Sequence, residues 1–151
     1  MFLKALFTVL VLAVAHQSLA FEVVKGFEGQ YRLTKAKKVG ARLCPEKTEI
    51  HLTEIEENGK SISVLNLTAR LLYPLIEGKR DFNEDDGCQI RQVYSWDASA
   101  LKLRKEETTH CSNYKSNKID LVQFNQKEQK LKLELFEDSK LVASCEWKKV
   151  K

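Results

Sequence analysis

From residue 27 onward, apolar and polar side chains alternate with a period of two, in short segments separated by polar turns. FEGQYRLT (27–34), TEIHLTEI (48–55) and SISVLNLT (61–68) read this way in the N-terminal half. EENGK (56–60) joins the last two, and its Asn58-Gly59 pair suits a tight hairpin turn, because both residues tolerate positive φ. In the C-terminal half, CQIRQVYSW (88–96) places Ile90, Tyr94 and Trp96 on one face. ALKLRKEE (100–107) alternates Leu101 and Leu103 with Lys102 and Arg104, and TTHCSNY (108–114) is a candidate continuation of it. NKIDLVQFN (117–125) is apolar on both faces, which predicts a strand covered on both sides or one carrying a bulge. QKLKLELFE (129–137) turns Leu131, Leu133 and Leu135 one way and Lys130, Lys132 and Glu134 the other. KLVASCEWK (140–148) aligns Leu141, Ala143, Cys145 and Trp147. This pattern predicts half-buried antiparallel strands, packed on one face and wet on the other.

ARLLYPLIEG (69–78) breaks the rhythm. Pro74 removes a ladder donor and excludes a central strand there. The stretch Leu71, Leu72, Tyr73, Pro74, Leu75 and Ile76 is the candidate binding loop, a lid or irregular edge; burial as a plug at one end of the core is the competing reading. Eight to ten short strands joined by short turns predict an all-β fold, a small antiparallel up-and-down barrel, since closure removes exposed strand edges.

The first 20 residues have the makings of a secretory signal peptide: Lys4, the uncharged run ALFTVLVLAVA (5–15), and small residues at Ser18 and Ala20. The run is too short to span a bilayer. Its removal from 151 residues leaves 131, residues 21–151, one domain's worth. The mature chain then carries 24 basic and 21 acidic residues, a balance that promotes solubility and little else. KAKK (35–38) and WKKVK (147–151) read as a solvated loop and tail, and no basic face interleaved with aromatics suggests nucleic acid as a partner.

All four cysteines, Cys44, Cys88, Cys111 and Cys145, lie in the exported part, which predicts two disulfides and a periplasmic or extracellular location. Four cysteines allow three pairings. If 88–96 and 101–111 form one hairpin with Trp96 opposite Leu103, Cys88 falls opposite Cys111 and leaves Cys44 to bridge Cys145. The cysteines are spread too widely for a zinc site, and no metal or other cofactor is expected. DFNEDDG (81–87) alternates Asp81, Asn83 and Asp85 like a calcium loop but lacks the Gly and the final Glu such a loop needs, so it reads as an acidic turn. Asn66-Leu67-Thr68 is a glycosylation sequon within a strand pattern and reads as a chance occurrence. Neither G-x-S-x-G nor H-E-x-x-H occurs, and His51 is expected on a wet face, so no enzyme is expected.

Phe27-x-Gly29-x-Tyr31-x-Leu33 resembles the first-strand signature of the calycins, the superfamily of lipocalins and fatty-acid-binding proteins. The resemblance implies a monomeric barrel whose base is sealed by Tyr31, with Gly29 allowing close backbone approach. The lipocalin Thr-Asp-Tyr turn is missing, and CEWKK (145–149) lacks the Arg-x-Tyr of fatty-acid carriers, so no ligand-binding residue carries over. The resemblance implies a carrier or scavenger of a small apolar ligand. The alternative is a protein-binding module, such as a hydrolase inhibitor, acting through its loops. A carrier needs an internal cavity of a few hundred Å³, on the order of ~300 or more.

Overall fold

The alternating segments become ten antiparallel strands in a computed structural model, which describes residues 21–37, 44–68, 71–76, 78–83 and 87–151. They are β1 (Gly29–Lys37), β2 (Lys47–Glu57), β3 (Lys60–Thr68), β4 (Leu71–Pro74), β5 (Gly78–Asn83), β6 (Gln89–Asp97), β7 (Lys102–His110), β8 (Lys115–Asn125), β9 (Lys130–Glu137) and β10 (Lys140–Lys149). The segment expected as a signal peptide, 1–20, lies outside the described residues, as do Glu84, Asp85 and Asp86 of the acidic turn.

The strands form one curled sheet in the order β4-β3-β2-β1-β10-β9-β8-β7-β6-β5. First and last strands pair, as barrel closure requires, yet the ladder is interrupted between β4 and β5, which are consecutive in sequence. The fold is therefore a half-barrel whose two edges fall mid-chain. Pro74 sits in edge strand β4, where a missing donor is tolerated. Asn58 and Gly59 both take positive φ in the β2–β3 turn, as the hairpin signal required. β8 pairs in continuous register on both sides, so its apolar outer positions Ile119 and Leu121 are half-buried neighbours and not the sign of a bulge.

The concave face is built in rows that cross the strands. Phe124, Leu131, Trp147 and Leu33 are register partners in one row; Trp96, Leu103, Val122, Leu133 and Cys145 form the next. All but Leu33 are buried. Full burial of a Leu or Val side chain stabilises by about 2 kcal/mol, so these rows are the main cohesive element of the fold. A helical turn at 21–25 covers the end of this core with Val23 and Val24, and Phe27 packs edge-on against Phe124 at 5.0 Å between ring centroids.

Tyr31 seals that end: it is 1% exposed, and its hydroxyl donates to the Phe27 carbonyl at 2.9 Å. Gly29 has φ of 135°, and a Cβ there would stand 3.0 Å from Lys149 Cε, so both backbone conformation and close approach favour glycine. Trp147 donates from Nε1 to the Pro45 carbonyl at 2.9 Å. This fixes the chain beside the Cys44–Cys145 bridge, whose Cα atoms are 5.6 Å apart. The second bridge, Cys88–Cys111, spans 4.3 Å between Cα atoms at the other end of the sheet. Trp96 does stand opposite Leu103 and Ile90 opposite Thr109, the register from which that pairing follows.

Candidate functional site

The same concave face changes character along β6, β7 and β8. Beyond the apolar rows, Tyr94, Lys105, Asp120, Leu135 and Ala143 are partners across five strands, and the next row reads Arg80, Gln92, Glu107, Lys118, Glu137 and Lys140. A further row, Phe82, Ile90, Thr109 and Ser116, ends the sheet near Cys88–Cys111. The inner positions of three strands thus turn polar halfway along their length.

These groups are linked to one another. Tyr94 donates its hydroxyl to Gln92 Oε1 at 2.7 Å, Gln92 Nε2 donates to Glu107 Oε2 at 2.8 Å, and Lys105 Nζ lies 2.9 Å from the same oxygen. On β4, Tyr73 donates to Asp120 Oδ2 at 3.1 Å, reaching across the concave face to β8. Arg80 of β5 forms an ion pair with Glu57 at the end of β2. That pair bridges the gap at which the ladder is interrupted.

Burial drives the Asp120 carboxyl above the usual carboxylate range, although Lys105 and the Tyr73 hydroxyl pull it back. Burial also raises Tyr73, helped by the Asp120 charge, and raises Tyr94 against the opposing field of Lys105. For Lys105 and Glu107, burial disfavours the charged form. Their mutual bond, with Gln92 on Glu107, wins, so Lys105 is held up and Glu107 down. The network keeps these charges in place in a half-buried setting.

The expected loop, 71–76, is divided. Tyr73, Pro74 and Leu75 are buried, with Tyr73 and Leu75 in the main core, while Leu72 is 52% exposed and Leu71 and Ile76 are half-buried. Its middle is a plug, and it presents little more than Leu72. The following strand, β5, is the more accessible element. Among the described residues it pairs with β6 alone, and an open cleft of about 470 Å³ runs beside it, lined by residues that include Asp81, Phe82, Ile90, Arg91 and His110. Phe82 is 39% exposed and Arg91 donates to Asp81 at 2.8 Å. Sequence reading did not find β5, because GKRDFN carries no alternation of apolar residues.

His51 and His110 are both exposed. No cluster of three His, Cys, Asp or Glu able to hold a metal occurs among the described residues. The Asn66 amide of the sequon donates to Thr53 Oγ1 at 2.8 Å and stands within 3.4 Å of the His51 carbonyl, so the nitrogen a glycan would need is engaged. The chain matches no family model and no curated protein.

Proposed function

We propose that the chain is an exported, calycin-like, non-enzymatic binding module that engages a protein partner by adding an extended segment of it to β5. The observation that carries this reading is the edge of β5, which no strand among the described residues pairs, beside a cleft with exposed Phe82. An edge strand offers a row of backbone donors and acceptors, and a neighbouring pocket offers side-chain selectivity. Lys79, Arg80 and Asp81 on that strand disfavour indiscriminate pairing. The apolar rows are occupied by the protein's own Trp96, Trp147, Phe124 and leucines, which leaves the rim as the more available surface. Two disulfides accord with an oxidising compartment. Lys149 stands opposite Tyr31 and donates to the Gly26 carbonyl at 3.3 Å, joining the last strand to the base.

A carrier of a small amphiphile is the second reading. One observation favours it: the buried Trp96 Nε1 has no hydrogen-bond partner among the described residues, at the border of the apolar and polar rows. It stands behind the first because a charged ligand head would have to displace Glu57 from Arg80 or Glu107 from Lys105.

Native mass spectrometry of the protein purified from its own host separates the two. The module reading expects a stoichiometric protein partner that is lost on Phe82→Asp. A co-purifying lipid that survives Phe82→Asp but is lost on Lys105→Met overturns it in favour of the carrier.

A further inference from the structure

The convex face at the base of the half-barrel carries a feature that strand pairing alone creates. Lys47 stands opposite Arg32, Arg32 opposite Lys148, and Lys148 opposite Lys130, so four cations occupy one line across β2, β1, β10 and β9. Adjacent strands are about 4.8 Å apart, so the line spans roughly 14 Å. Like charges directly opposite each other oppose sheet formation. Lys130 is relieved by Glu128 at 2.7 Å and Glu146 at 3.8 Å. Arg32, Lys47 and Lys148 are exposed and make no ion pair among the described residues.

The line continues into an open depression of about 740 Å³ whose lining includes Lys127, Lys130, Lys148, Lys149 and Lys151, with Glu128 its one acid. Val150, 49% exposed, projects among these lysines.

We propose that this face docks on an anionic lipid leaflet. The cations are spread over a broad, open surface, which suits many head groups better than one enclosed anion. Each basic side chain near such a surface contributes independently to attraction, and Val150 supplies an apolar contact at the interface. A single-stranded nucleic acid would want exposed aromatics on which to stack bases. The exposed aromatic rings among the described residues, Phe82 and Tyr114, lie on β5 and beside the start of β8, away from this face. Docking by the base would leave the β5 edge free, but the proposal does not depend on what β5 binds.

The test is flotation of the full exported chain with vesicles of phosphatidylcholine alone or with about a third phosphatidylglycerol. The expected result is binding to the anionic vesicles only, weakening as salt rises. Arg32→Gln with Lys148→Gln should weaken it by about 30-fold, at roughly five- to sixfold per cation removed. Lys79→Gln with Lys115→Gln, the same charge change on β5 and β8, should leave it within about threefold. Equal binding to neutral vesicles, equal loss in the two variants, or tighter binding to a single-stranded oligonucleotide at the same salt would each overturn the proposal. If the Arg32/Lys148 variant does not fold, salt-insensitive binding of the unaltered chain overturns it equally.

Discussion

Removing the two disulfides one at a time should reveal how the half-barrel is held. The unfolded chain regains the entropy of the loop each bridge closes, and that entropy grows with the logarithm of loop length. Cys44–Cys145 closes a separation of 101 residues and Cys88–Cys111 one of 23. At 25 °C this corresponds to about 4.7 kcal/mol for the long loop and about 3.4 kcal/mol for the short one, a difference of about 1.3 kcal/mol. Cys44, Cys88 and Cys145 are all under 9% exposed, so losing the sulfurs adds a similar small packing cost at each site. The assay is urea unfolding of Cys44→Ala/Cys145→Ala and of Cys88→Ala/Cys111→Ala, each with the other bridge intact. The long-loop variant should be the less stable, with a slope in urea no smaller than the parent's. If Cys88→Ala/Cys111→Ala costs as much or more, loop length is not what these bridges contribute, and local order at the end of β6 and β7 is.

Two further outcomes follow from single residues. Gly29→Ala should cost about 1–3 kcal/mol, and adding Lys149→Ala should recover only part of it, because the lysine accounts for the contact and not for the positive φ; full recovery in thermal or urea unfolding would refute the backbone argument. Asp120 has a raised folded pKa, so the stability it contributes is present below its unfolded value of about 3.9 and is lost as pH rises through the folded value. Asp120→Asn should therefore gain on the parent between pH 4 and pH 7 in urea midpoint, and a pH-independent difference would show that burial does not govern this carboxyl.

Strand after strand was legible because half-buried β structure writes itself as a period of two. Leu131, Leu133 and Leu135 fall on the core face as their spacing required. The cysteine pairing was legible for a related reason: once Trp96 is set against Leu103, register arithmetic carries Cys88 to Cys111. Three features were not. β5 has no buried apolar position, so nothing in GKRDFN distinguishes a strand from a polar turn. The helical turn at 21–25 is too short to show a helical period. Leu141 does not continue the face of Ala143, because the register shifts between them. The polar rows were half legible: Lys105, Glu107, Lys118 and Asp120 occupy inward positions by parity, but their meeting depends on the curl of the sheet. The cation line depended on β1 pairing with β10, a contact between distant parts of the chain that no local pattern encodes.

The division of the concave face explains how an unclosed barrel can persist. A sheet that leaves β4 and β5 unpaired with each other forgoes ladder hydrogen bonds and exposes two edges, a cost that must be met elsewhere. The base meets it with buried rows, the Tyr31 seal and the long-loop bridge, all on the side of the sheet where β1 and β10 join. At the seam itself, Tyr73–Asp120 and Arg80–Glu57 span the concavity with side chains where no backbone ladder does. Such links are individually weak and reversible, in contrast to a ladder, which would fix the strands and consume the edge. An apolar seam would have closed on itself. Paired charges hold the edges near each other and leave the β5 backbone on offer, which is the property a binding edge needs.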